Sequence, residues 1–224
     1  MKEVIMSKRG LVLFVGGTGT GKSTSLAALL GYRNRNTKGH ILTIEDPIEF
    51  TYKNERSLIN QREVNKHTKS FSAALRSALR EDPDVILIGE MRDLETIRLA
   101  ITAAETGHLV FGTLHTSSAA RTINRIVDVF PAGEKNMIRN MLSESLQAIV
   151  SQTLLKKING GRIAAHEILI ANAAVRNLIR EDKIAQIYST MQTSSLDGMQ
   201  TLEQDLLRLV KSNIISSDVA KSKK

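Results

Sequence analysis

The sequence predicts an α/β fold with a mostly parallel sheet, followed by a helical C-terminal region. Three observations carry that expectation. Short continuous apolar runs recur through the first 131 residues, as in Leu11-Val12-Leu13-Phe14-Val15 and Val85-Ile86-Leu87-Ile88. Runs of this length, closed by glycine or acidic residues, mark strands buried on both faces. Segments with apolar residues at helical spacing lie between them, and such alternation argues for βαβ units. After Pro131 helical patterns dominate.

The elements follow in order. The run at 11–15 ends in glycines, and a helix is expected from Lys22 to about Arg33, with Leu26, Leu29 and Leu30 at 3/4 spacing. Ile41–Ile44 reads as a second strand, closed by Glu45-Asp46-Pro47, and Ile48–Val64 carries strand-like pieces among polar residues. Phe71, Ala74, Leu75, Ala78 and Leu79 form one helical face, which Asp82-Pro83 terminates. Asp84–Glu90 is a buried strand with an acidic end. Leu94, Ile97, Ile101 and Ala104 mark a helix stopped at Gly107, and His108–His115 is a further strand. Beyond a soft boundary near residue 131, helices are expected at Glu134–Gln152, Ala173–Arg180, Ile184–Met191 and Met199–Val210. One hairpin interrupts them, Leu154–Ile158 with Arg162–Ile170, turning at Asn159-Gly160-Gly161. The lysine-rich end, 221–224, reads as a frayed, solvated tail.

Composition narrows the function classes. The 224 residues are 42% hydrophobic and 24% charged, values of a globular chain. Cysteine is absent, which excludes disulfides, thiolate catalysis and cysteine-ligated zinc. The five histidines show no HExxH spacing. No run approaches the ~18 apolar residues of a membrane span, and Met1–Gly10 lacks a signal-peptide core, so a cytosolic protein is expected. A net charge of +8 suits an anionic partner or simply a solvated basic surface. The lack of tryptophan and the few aromatics weigh against a base-stacking nucleic-acid binder.

Gly16-Gly17-Thr18-Gly19-Thr20-Gly21-Lys22-Ser23 matches G-x-x-x-x-G-K-[ST], between a predicted strand and a predicted helix. Glycines let the backbone turn its N–H groups inward, and the helix N-terminus adds positive potential. Lys22 is expected to reach the β- and γ-phosphates of a nucleotide, and the Ser23 hydroxyl to bind Mg²⁺. The motif does not by itself separate kinase from ATPase or GTPase.

Ligands of open α/β sheets sit at the carboxyl ends of strands. Glu90 lies at such an end, where it could orient water toward a γ-phosphate; a cap on the next segment is the plainer alternative. Glu45, Asp46 and Glu49 follow another strand end and could hold Mg²⁺ or its waters, or form a solvated acidic loop. His115 stands where a γ-phosphate could be sensed by hydrogen bond, whereas His108, at the other end of its strand, reads as structural. Arg62, Arg76, Arg80 and Arg92 are arginines that could complete a neighbouring subunit's site or be ordinary solvated or ion-paired side chains.

Taken together, these motifs resemble the secretion-type ATPases that drive type IV pili, most closely the branch that retracts the pilus. The matching segments are Gly16–Thr24 (Walker A), Thr43–Phe50 (Asp box), Asp84–Asp93 (Walker B) and Thr102–Thr116 (His box), continuing through Val127–Pro131 and Ala165–Ile168. The Asp and His boxes are more specific than the phosphate loop. Ala174-Val175-Arg176-Asn177-Leu178-Ile179-Arg180-Glu181 is similar to the motif that marks the retraction branch, with Val175 where that motif has Ile. As a helix it would pack Val175, Leu178 and Ile179 inward and leave Arg176, Asn177 and Arg180 available; plain packing with a solvated basic face is the alternative. Gly16–Asn36 looks more like an accessory paralogue of that branch, and Gln61 onward more like the retraction motor itself.

The resemblance implies a RecA-like P-loop NTPase core at 1–131, with the remainder of the core and a helical C-terminal subdomain at 132–224. It implies a hexameric motor that hydrolyses ATP with Mg²⁺, acts on the inner-membrane pilus platform protein, and sits in the cytoplasm, peripheral to the inner membrane. Lys22 would bind phosphate, Glu90 would be the catalytic glutamate, Glu49 a second essential carboxylate, and His115 and His108 the His-box residues; Glu45 would reach the metal through water. Family members carry a PAS-like domain of about a hundred residues ahead of this core, a length that suits one small domain. That domain packs on the next subunit and supplies arginines. Only about ten residues precede the first strand here, so a core fragment or a short member is expected. Two other readings stand beside the motor: a nucleic-acid-stimulated RecA-like ATPase, and a nucleotide-binding module with little turnover. No nucleic-acid partner is expected.

Overall fold

In the computed structural model, which describes residues 2–223, seven strands pair into one sheet. They are β1 (Gly10–Val15), β2 (Gly39–Glu45), β3 (Ser57–Glu63), β4 (Val85–Ile88), β5 (Leu109–Leu114), β6 (Leu146–Lys156) and β7 (Arg162–Ile170). Their order across the sheet is β3-β2-β4-β5-β1-β6-β7. All neighbours are parallel except β6 and β7, which form the antiparallel hairpin. The expected mostly parallel α/β fold is therefore present. The chain crosses over through α2 (Lys22–Asn36), α3 (Phe71–Ala78), α4 (Leu94–Glu105) and the pair α5 (Ala119–Asp128) and α6 (Lys135–Ser145). A short α1 (Lys2–Ile5) precedes the sheet. The helices α7 (Ala173–Arg180), α8 (Ile187–Thr193), α9 (Leu202–Lys211) and α10 (Ser217–Lys221) follow it.

Strand alternation divides the core. Leu11, Leu13 and Val15 of β1 face a large cluster with the inner faces of α3 to α8, whereas Val12 and Phe14 face Ile5 and the Leu26 and Leu30 side chains of α2. All of these are essentially buried, each contributing about 1.5–3 kcal/mol relative to exposure. A third cluster joins Leu155 and Ala165, in the hairpin, to Leu206, Leu209, Ile215 and Ala220.

Several boundaries differ from expectation. The helix expected over Glu134–Gln152 ends at Ser145, and Leu146 begins β6. This run is apolar on both faces, so its periodicity does not distinguish helix from strand. The free edge of β1 decides the matter, pairing Leu11 with Leu146 and Val12 to Val15 with Ala148 to Ser151. Gln147 bulges from that register and donates to the Arg9 carbonyl at 3.3 Å. The first hairpin strand thus starts at Leu146 rather than Leu154, and both strands of the stretch after Pro131 belong to the same sheet as β1. The hairpin turn is where it was expected, with Gly160 and Gly161 at φ +80° and +72°.

The helix opened by Lys22 runs three residues past Arg33. Arg33 itself is buried, donating to the carbonyls of Ile5 (2.6 Å) and Ser7 (2.9 Å). The last long helix begins at Leu202 rather than Met199, because Thr201 and Gln204 form a reciprocal capping box and Gln200 bridges to Ile168. The Ile184–Met191 helix starts with a 3-10 turn, Ile184–Gln186. Lys221 closes α10 instead of fraying, whereas residue 224 of the expected tail lies outside the described residues.

Candidate active site

The phosphate loop connects the carboxyl end of β1 to the N-terminus of α2. Gly16, Gly19 and Gly21 take φ of +147°, +74° and +89°, values open to glycine and costly for other residues. Gly21 is the N-cap of α2 and no side chain caps the helix, so its first N–H groups face the loop. Lys22 is buried to 9% exposure, and its Nζ donates to the carbonyls of Gly16 (2.9 Å) and Gly17 (2.8 Å). Burial pushes its ammonium pKa down, and the charges of Glu90 and Glu49 push it back up.

Thr18 to Thr24 line one wall of a cavity of about 510 Å³. Glu45, Asp46 and Glu49 from the end of β2, Glu90 and Arg92 after β4, and Thr113 and His115 at the end of β5 line the rest. Loop residues Thr18 to Thr24, the acidic groups and His115 are thus brought together at the carboxyl ends of β1, β2, β4 and β5, whereas the predicted Gly16 and Gly17 border a neighbouring cavity. The Glu90 carboxylate accepts from Arg92 Nε, and His115 Nε2 lies 3.2 Å from the same oxygen. Thr113 fixes the turn beneath it, its hydroxyl donating to the Gly89 carbonyl at 2.5 Å. Glu45 is half-buried, and its Oε1 accepts from Thr43 Oγ1 (2.6 Å) and Gln61 Nε2 (3.2 Å). Burial raises its pKa, against the lowering effect of those bonds. Glu49 and Asp46 are exposed on the rim.

Among the described residues no three His, Asp or Glu side chains are grouped as a metal cage. The Ser23 hydroxyl and the nearby carboxylates suit an ion such as Mg²⁺, which keeps several waters and takes ligands from phosphate.

The remaining candidates separate from this site. His108 precedes β5 at the opposite end of that strand, and its ring Nδ1 donates to the Ala103 carbonyl at 3.0 Å, a structural contact. Arg62 pairs with Glu81 at 2.6 Å, and Arg76 pairs with Glu95. The helical face expected to carry both Arg76 and Arg80 stops at Ala78, so Arg80 lies beyond α3. Only Arg92 of the four borders the cavity. On α7, Val175 and Ile179 are buried and Leu178 partly so, while Asn177 and Arg180 are exposed and Glu181 follows as the C-cap. Arg176 is not available as expected. Its guanidinium donates to the carbonyls of Ser143 (2.6 Å) and Glu144 (2.7 Å), because the end of α6 abuts α7 and presents unsatisfied carbonyls.

Gln152 of β6 is a site neighbour that motif reading missed. It is 4% exposed and bonds the loop on the side away from the acidic groups. The signal was an amide within a largely apolar run, since buried polar groups need partners.

The family model described as type II/IV secretion system protein matches residues 1–216. A type IV pilus retraction ATPase, PilT, of Pseudomonas aeruginosa is 66% identical over 222 residues, covering 99% of this chain and 64% of that protein. A twitching motility protein of Neisseria gonorrhoeae is 64% identical, covering 98% of this chain and 59% of its own length. Among solved structures, the pilus retraction motor PilT with bound ADP superposes with a TM-score of 0.94 at 54% identity, over 100% of this chain and 63% of that one. The chain therefore spans about three fifths of the length of these relatives.

Proposed function

For a chain that belongs to the type II/IV secretion system protein family, we propose the role of ATP-hydrolysing core of a pilus retraction motor. The observation that carries the reading is the convergence of Lys22, Glu90, Glu49 and His115 on one cavity beside the phosphate loop. ATP enters with its phosphates on the loop N–H groups and Lys22. The Ser23 hydroxyl would hold Mg²⁺, with Glu45 reaching the ion through water, and the ion would supply charge neutralisation at the phosphates. Glu90 orients the attacking water in line, and the Arg92 and His115 contacts hold its carboxylate until then. His115, next to Glu90, reads the γ-phosphate. Glu49 adds a second carboxylate at the rim.

The coupling of turnover to retraction belongs to the whole assembly: a homohexamer acting on the inner-membrane platform protein, on the cytoplasmic side and peripheral to the membrane. The retraction ATPase and motor names of the relatives support this assignment. No helix among the described residues is long and apolar enough to cross a membrane.

The test is the Mg²⁺-dependent ATPase rate per subunit against protein concentration, with Glu90→Gln as control. A rate that rises with concentration and falls about a hundredfold or more in the variant is expected, the scale of a lost acid–base group. A flat, near-zero rate with intact nucleotide binding would replace the motor reading with a binding module. Stimulation by DNA or RNA with a steep salt dependence would replace it with a nucleic-acid motor.

A further inference from the structure

We propose that Gln152 is a positioning residue for phosphate binding, a cross-link that holds the loop and the first turn of α2 in the shape that receives a nucleotide. The proposal rests on reading that loop as a nucleotide site. The loop needs such a restraint: Gly17, Thr18 and Gly19 are exposed, and three of its glycines sit at positive φ. Little packing fixes it, and glycine loses more conformational freedom than other residues when ordered.

Three atoms of Gln152 meet the loop and the first turn of α2. Its Nε2 donates to the Thr20 carbonyl at 2.7 Å. Its Oε1 accepts from the Ser25 hydroxyl, in the first turn of α2, at 2.8 Å. Its backbone carbonyl abuts Gly16, where an added Cβ would collide with it, and an added Cβ at Gly21 would stand 2.9 Å from Nε2. Both ends of the loop are thus fitted against one residue.

The anchor is rigid. Ser151, the preceding residue, pairs with Val15 of β1, and Gln152 itself pairs with His166 of β7. The side chain is 4% exposed, so water competes weakly for its bonds. The carboxamide supplies a donor for the Thr20 carbonyl and an acceptor for the Ser25 hydroxyl at once, without a change of protonation state. A site held this way binds without first ordering its loop.

The experiment is calorimetric titration of the chain with Mg²⁺-ADP, each variant checked by circular dichroism for retained fold. Wild type should bind, and Gln152→Met, similar in shape but without either bond, should bind roughly tenfold or more weakly, as loss of two neutral hydrogen bonds implies. Ser25→Ala should cost a few-fold in the wild-type background and nothing further beside Gln152→Met, because the two act through one bond. Gln152→Glu supplies a pH profile. Ionised, it lacks a donor for Thr20; protonated, it regains one, so its affinity relative to wild type should recover as pH falls while that of Gln152→Met stays flat.

Wild-type affinity in Gln152→Met, or a full Ser25→Ala cost in that background, overturns the positioning role and leaves the nucleotide site standing. If Gln152→Met does not fold, the Ser25→Ala affinity and the Gln152→Glu profile decide. Failure of wild type itself to bind overturns the nucleotide reading, and this proposal with it.

Discussion

Replacing Arg176 by alanine separates a structural role from a contact role for the α7 motif. The guanidinium bonds two carbonyls at the end of α6, 2.6 and 2.7 Å away. Hydrogen bonds to a charged group contribute about 1.5–3 kcal/mol each when enclosed. The Glu144 bond is exposed, so water replaces much of it. Burial of the guanidinium, and then the like charge of Arg180, also lower the pKa of Arg176 and oppose its charged form. A positive charge at a helix C-terminus returns about 0.3–1 kcal/mol. The net loss is about 2 kcal/mol, which for a chain of this size lowers Tm by roughly 4–8 °C. Arg180 is exposed on the same helix, and Arg180→Ala should leave Tm within about 2 °C, as surface substitutions do. Thermal unfolding followed by circular dichroism measures both. An Arg176→Ala melt indistinguishable from wild type, or an equal drop for Arg180→Ala, would refute the capping argument. If the reasoning holds, Arg180 is the better variant for probing motility without disturbing the fold.

Two further outcomes follow from the site and its surroundings. Lys22→Ala should weaken ADP binding about a hundredfold or more, since it removes the ammonium facing the phosphates; undiminished affinity by titration calorimetry would take phosphate binding away from Lys22. Glu167 is 6% exposed, and burial raises its pKa against the lowering effect of the Ala119 N–H that it accepts. A carboxyl raised in the folded state is favourable below its unfolded pKa of about 4.5 and costs stability as pH rises through the folded value. Glu167→Gln, which keeps the acceptor, should therefore raise Tm at pH 7.5, with the gain shrinking toward pH 4.5; a gain independent of pH would contradict that linkage.

Much of the site was legible because its determinants are local. The glycine spacing of the loop specifies its backbone, and the acidic and histidine residues stand at the ends of apolar runs, where strands terminate. Placing Glu90, Glu49 and His115 in one cavity needed only the rule that parallel strands present their carboxyl ends together. The helix at 71–78 and the strand at 85–88 were legible from periodicity, since each buries a face or a whole strand that nothing else in the sequence could cover.

What the tertiary structure decided was non-local. Leu146–Gln152 carries apolar residues compatible with either helix or strand, and the exposed edge of β1, more than a hundred residues earlier, made it β6. The same pairing set Gln152 beside the phosphate loop, 127 residues from its partner Ser25. Arg176 read as a free cation on an amphipathic helix until the end of α6 was placed against it. Local sequence determined the loop, the strand ends and the side chains capable of chemistry, because backbone strain and hydrophobic period act over a few residues. Partner choice for edge strands, buried amides and capping cations depends on which distant hydrogen-bonding group the folded chain leaves unsatisfied, and only the assembled sheet and helices supply it.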